Sequence, residues 1–159
     1  MIKSNIQVIT APEQLPSQNT THTIFLAGGI TGCPDWQGEA IRLFQKRTIQ
    51  QTILFNPRRP NFPIHDPSAA GEQIEWEFKA LKQADTIIFW FCKETIQPIT
   101  LYELGRHAYR FSMGHLANLF VGVEPGYPRE QDVRIQLELA CGRCPTNSLE
   151  RLVYYACTK

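Results

Sequence analysis

Two glutamates, Glu77 and Glu103, offer the most chemistry in this chain. Glu103 lies in Thr100-Leu-Tyr-Glu103-Leu-Gly-Arg106, at the expected first turn of a helix that follows an apolar strand. The helix macrodipole favours an anion in a first turn, so Glu103 is expected to stay ionised there. An ionised carboxylate beside a bound ligand is a nucleophile for an electrophilic carbon. The same spacing has a purely structural use: Thr100-x-x-Glu103 is a capping box, in which the glutamate bonds only the Thr100 backbone. Glu77 follows Ile74 by three positions and precedes Leu81 by four, so it flanks the apolar face of its own helix while Glu75 points outward. A carboxylate at the edge of an apolar face is costly unless it is paired or open to a cleft. Glu77 is therefore a candidate acid or ligand holder, with a helix-flank glutamate reaching water as the alternative.

Around these acids stand groups suited to hold a small molecule. Ala27-Gly28-Gly29-Ile30-Thr31-Gly32 follows a buried strand, where glycines let the backbone approach a ligand and expose its N–H groups. A plain tight turn fits the same residues. The full G-x-G-x-x-G fingerprint is absent, so a dinucleotide site is not indicated. Asn56-Pro57-Arg58-Arg59 brings two guanidinium forks, which pair with phosphate or carboxylate when not simply solvated. Of the tryptophans, Trp90 falls inside a core strand and reads as packing, whereas Trp36 is the better candidate for stacking on a base. The five cysteines read as free thiols. Cys141-Gly-Arg-Cys144 has metal spacing but no second pair to complete a site, so no metal is expected.

The elements that must position these residues alternate. Apolar runs at Ile6-Gln-Val-Ile9, Thr23-Ile-Phe-Leu-Ala27, Thr52-Ile-Leu-Phe55, Asp85-Thr-Ile-Ile-Phe-Trp-Phe91 and Leu119-Phe-Val-Gly-Val123 read as strands. Helices are expected over residues 36–46, from Asp66-Pro67 to residue 83, over 100–112 and 132–139, and over 149–156. Ile74, Phe78 and Leu81 mark the inner face of the second, and Leu104, Ala108 and Phe111 that of the third. Strand–helix alternation predicts an α/β protein: a doubly wound, mainly parallel sheet with helices on both faces. In such sheets ligands bind beyond the carboxyl ends of the strands, where Gly28-Gly29, residues 56–59, the 92–103 segment and Glu124 fall.

Composition narrows the class. With 159 residues, 43% hydrophobic and 19% charged, the chain suits one domain over residues 1–159 with its own core. A net charge of +1 leaves no electrostatic footprint for nucleic acid or an anionic membrane. No apolar run approaches the roughly 20 residues of a membrane span. The N-terminus has one early lysine and no long apolar stretch, so no signal peptide is expected and the location is expected to be cytoplasmic.

In combination, Phe25-Leu-Ala-Gly-Gly29, Asp35-Trp36-Gln37, Asn56-Pro-Arg-Arg59, Trp76-Glu77, Ala84-Asp85 with its apolar strand and Tyr102-Glu103-Leu-Gly105 resemble the nucleoside 2-deoxyribosyltransferase-like family over about residues 23–125. The resemblance implies a flavodoxin-like, Rossmann-like fold and chemistry at an N-glycosidic bond. It makes Glu103 the nucleophile that displaces the base from the anomeric carbon. It gives Glu77 the task of holding base or sugar and assisting proton transfer, and it leaves Asp85 structural. The covalent glycosyl intermediate would pass to a second base or to water, in parallel with retaining glycosidases. Gly28, Gly29, Asp35, Trp36, Asn56, Arg58, Arg59, Trp76 and Gln97 become candidate substrate contacts, with a nucleoside or nucleotide as the small-molecule partner. No cofactor and no metal are implied, and a homo-oligomer, dimer or higher, is expected. Two positions depart from the family pattern. Phe25 stands where a tyrosine contacts the nucleophile, and Gln97 stands where an acid precedes the nucleophile's helix. A non-catalytic module that binds a nucleotide or an ADP-ribose-type ligand would use the same fold.

Overall fold

The computed structural model describes residues 5–17, 20–48 and 50–158. Residues 1–4, part of the stretch read for a signal peptide, lie outside it. The sheet is built from β1 (Ile6–Thr10), β2 (His22–Gly28), β3 (Thr52–Asn56), β4 (Thr86–Phe91) and β5 (Asn118–Val123), all parallel, in the order β1-β3-β2-β4-β5. All six residues of β4 and five of the seven in β2 are buried, as expected of central strands covered on both faces.

Two cores lie on opposite faces. Trp36, Ala40, Leu43 and Phe44 of α1 (Trp36–Arg47) and Leu152, Val153 and Ala156 of α5 (Leu149–Cys157) cover one face, against Ile24, Leu26, Leu54 and Ile88. On the other face lie α2 (Pro67–Gln83), α3 (Pro98–Ser112) and α4 (Glu130–Cys141). They pack Trp76, Ala80, Leu104, Ala108, Val133 and Leu137 against Phe25, Phe55, Ile87 and Phe89. Burying each valine, leucine, isoleucine or phenylalanine among them contributes about 1.5–3 kcal/mol. This is the doubly wound, flavodoxin-like arrangement expected from the alternation. β2 lies between β3 and β4, so the chain leaves it in opposite directions and opens a crevice at its carboxyl end.

Two expectations about the helices are corrected. The inner face of α2 is not Ile74-Phe78-Leu81: Ile74 is 67% and Phe78 52% exposed, and only Leu81 of the three is buried. The buried stripe is Ala69, Trp76 and Ala80, with Gln73 and Glu77 half-buried beside it. Alanines let the helix approach the sheet, and Trp76 fills the gap, its ring 6.3 Å from that of Phe25 and 6.5 Å from that of Phe55. The largest apolar residues of the segment are therefore outside. In addition, α3 begins at Pro98, not Thr100. Proline suits the first helical position, where a missing N–H costs nothing. Gln97 takes the left-handed conformation (φ 56°) to turn the chain in, and its carbonyl accepts from Leu101 N.

Candidate functional site

The carboxyl ends of the central strands and the start of α3 enclose a cavity of about 350 Å³. Glu77 from α2 and Glu103 from α3 both line it, so the structure brings the two suspected carboxylates to one place. Gly28 and Gly29 form one wall with Ile30 and Thr31; Thr95, Ile96, Gln97 and Thr100 form another; Phe25 and Pro57 complete the apolar part. No arginine or lysine stands among the described residues that line it.

Because α3 starts two residues early, Glu103 lies in its second turn and Thr100 is not a cap. The capping-box reading therefore fails. So does the expectation that the macrodipole keeps Glu103 ionised, since that effect fades beyond the first turn. Burial dominates instead: together with the neighbouring Glu77 charge it raises the Glu103 carboxyl to about 7, with Arg106 opposing. Burial also raises Glu77, against the hydrogen bond that Glu77 Oε1 accepts from Gln73 Nε2 at 2.7 Å. Gln73 also donates to Pro57 O at 2.7 Å, tying α2 to the turn after β3. Sequence reasoning missed Gln73, although its place four residues before Glu77 was the available signal.

The glycine loop is held from both sides. Gly29 N donates to Gln97 Oε1 at 2.8 Å, and Gly29 O accepts from Trp36 Nε1 at 3.0 Å. The Gln97 amide nitrogen donates to Cys92 O at 2.7 Å and Thr95 O at 3.1 Å. Both hydrogens of the Gln97 amide thus turn into the protein, and this buried side chain braces the wall it belongs to. A Cβ on Gly29 would stand 2.7 Å from Gln97 Cδ, and one on Gly28 would stand 2.5 Å from the Trp36 ring. Both glycines are set by close approach.

Most of the other sequence candidates stand behind this wall. Trp36 is 4% exposed, packed under Gly28 and bonded to Gly29, so it offers no face for stacking and that expectation is corrected. Asp35 caps α1 by accepting from Gly38 N at 2.9 Å and lies 3.3 Å from Arg58 Nε. Arg58 donates to Gln37 Oε1 at 2.9 Å, Pro34 O at 2.8 Å and Cys33 O at 3.3 Å, which commits its fork to holding residues 29–35. Arg59 pairs with Glu72 at 3.0 Å and lies over the Phe62 ring at 5.4 Å. Neither arginine lines the cavity, so neither is placed as a phosphate clamp there. Asn56 Oδ1 accepts from Arg58 N at 3.0 Å, and Asn56, Asp35 and both arginines border a separate surface recess. Trp76 donates to Glu13 O at 2.7 Å and is a core residue. Asp85 holds the start of β2 by accepting from Thr23 N and Oγ1 at 2.9 and 2.8 Å, as its structural reading anticipated.

The far loop is anchored by residues not singled out for this task. Tyr127 Oη donates to Ile96 O at 2.6 Å, and Glu124 accepts from Lys93 N at 3.0 Å and pairs with Lys93 Nζ at 3.2 Å. Cys33 and Cys92 are joined as a disulfide, which corrects the reading of five free thiols; Cys141, Cys144 and Cys157 are free. No local pattern announces a pair 59 residues apart. Among the described residues no cluster of histidine, cysteine and carboxylate could hold a metal, and no helix is long and apolar enough to cross a membrane.

No curated protein sequence matches the chain. A family model described as nucleoside 2-deoxyribosyltransferase like matches residues 21–123, a span from before β2 to the end of β5 that holds both glutamates. That span covers well over half of the sequence, and the chain belongs to the nucleoside 2-deoxyribosyltransferase-like family.

Proposed function

We propose that the protein cleaves or transfers at the N-glycosidic bond of a nucleoside, with Glu103 as nucleophile and Glu77 as its proton-handling partner. One observation carries this reading: two half-buried carboxylates from different helices line one cavity beside the Gly28-Gly29 loop. A Glu103 oxygen attacks the anomeric carbon as the C–N bond breaks. The bonding pair leaves with the base nitrogen, which takes a proton delivered with the help of Glu77. The glycosyl ester is then opened by a second base or by water. The apolar surface of Phe25, Pro57, Ile96 and Ile99 suits a planar base, and the threonine hydroxyls suit sugar oxygens.

The test is base release followed by chromatography from ribo- and deoxynucleosides and their 5′-monophosphates, with and without an acceptor base. Release with acceptor dependence marks a transferase, and release into water marks a hydrolase. Binding of these compounds without release across the panel would instead favour a non-catalytic binding module.

Charge argues for the unphosphorylated substrate. Even with Glu103 half-protonated near neutral pH, two carboxylates outweigh the roughly half-charge of the α3 N-terminus at the same cavity. Nucleosides are expected to turn over at least about tenfold faster than their 5′-monophosphates, a gap of only ~1.4 kcal/mol. Arg58→Gln and Arg59→Gln should leave that ratio unchanged. A ratio that collapses in either variant would return the arginine to a phosphate role. Arg58→Gln should lower activity on both substrate classes alike, by loosening the 29–35 loop.

Assembly of identical copies, a dimer or larger, belongs to the same proposal. Its support is the outward apolar surface of α2 and α3: Ile74, Phe78 and Tyr102 are 67%, 52% and 69% exposed. The Arg106 guanidinium lies over the rings of Phe78 and Tyr102 at 5.3 and 5.5 Å. Light scattering is expected to give a multiple of 18.2 kDa that Phe78→Glu reduces. A parent protein running at 18.2 kDa would dismiss assembly.

A further inference from the structure

β2 and β4 are paired so that Gly28 stands opposite Trp90, and the residues just past both strand ends are therefore neighbours. Cys33 lies in the loop after β2 and Cys92 directly after β4, with their Cα atoms 6.4 Å apart, within the range a disulfide spans. The sulfurs sit among groups that shape the cavity. Cys33 Sγ is 3.3 Å from Thr95 Oγ1, and Gln97 Nε2 is 3.4 Å from Cys92 Sγ. Thr95, Gln97 and the Gly29 that Gln97 holds all line the cavity. Cys92 is 1% exposed, whereas Cys33 is half-buried, so Cys33 is the more open of the two to an incoming thiolate. Nothing in the glycosidic chemistry calls for these thiols.

We propose that Cys33 and Cys92 are a reversible thiol–disulfide site, exchanged by low-molecular-weight dithiols and disulfides, that sets whether the two loops lining the cavity are covalently joined. In the reducing direction a dithiol thiolate attacks Cys33 Sγ. The Cys33–Cys92 bond breaks, its electron pair goes to Cys92 Sγ, and that sulfur takes up a proton. The second thiol of the reagent then attacks the mixed disulfide, releasing Cys33 as a thiol and the reagent as a cyclic disulfide. In the oxidising direction a small disulfide accepts the two electrons and leaves as two thiols. When joined, the 29–35 and 92–97 loops move as one wall. When parted, they keep non-covalent ties such as the Gly29–Gln97 and Cys33–Thr95 bonds. The consequence for substrate rests on the glycosidic reading above, and the consequence for the loops does not.

The experiment treats the whole protein with oxidised glutathione or with dithiothreitol, unfolds it, alkylates it and reads the labelled cysteines by mass spectrometry. Hydrogen exchange of residues 29–35 and 92–97 is followed in parallel. Expected after oxidised glutathione is labelling of Cys141, Cys144 and Cys157 only, apart from any mixed disulfide on exposed Cys144. Expected after dithiothreitol is labelling of all five, with faster exchange in both loops and full reversal on reoxidation. Cys33→Ser should exchange like the reduced protein under either reagent. Labelling of Cys33 and Cys92 after both treatments, or loop exchange indifferent to dithiothreitol, would overturn the proposal. Reduction should also raise the KM for nucleoside about tenfold, as expected when a substrate-positioning wall loosens. Thiol and loop switching in a protein that releases no base would leave this site standing while the glycosidic reading fell.

Discussion

Glu103→Gln is expected to release no measurable base and yet to be harder to unfold than the parent at pH 8. The activity loss follows from the proposed role of Glu103 as nucleophile. An amide does not form the glycosyl ester, and removal of a covalent nucleophile costs roughly 10³–10⁶ in kcat. The gain in stability follows from the raised carboxyl. In the folded protein Glu103 titrates at about 7, above the 4.5 of an unburied glutamate, because burial and then Glu77 disfavour its charge. A carboxyl raised on folding contributes stability that is fully present below its unfolded value and lost as pH rises through its folded value. Above pH 7 the parent therefore holds an unfavourable buried charge costing on the order of 2–3 kcal/mol, which the isosteric amide removes. Denaturant melts at pH 4.5 and pH 8 check this: the parent should lose stability between them and the variant should lose less. A variant that keeps turnover would dismiss the nucleophile. One that loses turnover by unfolding would dismiss the electrostatic account.

The second large effect concerns Glu77. If the nucleophile must be ionised, kcat/KM on a nucleoside should rise with pH along a limb centred near 7 and level off above it. The Glu77 charge is the second cause of the raised Glu103 carboxyl, so Glu77→Gln should move that limb to lower pH. It should also lower the plateau by about 10²–10⁴, the ordinary worth of a positioned proton donor or acceptor. The pH profile separates this role from a structural one: a residue that only braced α2 would lower the plateau and leave the limb in place. Gln73 is bonded to Glu77 Oε1 and should act in the same direction as its partner but more weakly, since its hydrogen bond opposes the raised Glu77 carboxyl.

How much of this was legible before folding differs residue by residue. The five strands and five helices were all visible, because strands covered on both faces require nearly unbroken apolar runs and the breaks between them carry proline, glycine and asparagine. The family and the pair of glutamates were visible too. The inner face of α2 was not. Local hydrophobicity points to Ile74 and Phe78, but contact with the sheet selected alanines and Trp76 for fit, leaving the larger residues outside. The start of α3 was misplaced by two residues because a left-handed Gln97 is set by what its amide grips, namely Gly29, Cys92 and Thr95. That shift removed Glu103 from the capping position and from the macrodipole's reach, and burial with the Glu77 charge makes it an acid titrating near 7.

The sequence by itself determined the order of elements and the parallel sheet, since periodicity and breaker residues are local properties of the chain. Tertiary structure alone decided where the other motifs stand. Asp35-Trp36-Gln37 and Asn56-Pro57-Arg58-Arg59 look like ligand contacts in one dimension. Because β2 and β3 are neighbours, they meet instead behind the Gly29 peptide and hold it. Cys33 and Cys92 pair for a similar reason: β2 also lies beside β4, and distance along the chain carries no record of which strand ends will be neighbours in the sheet.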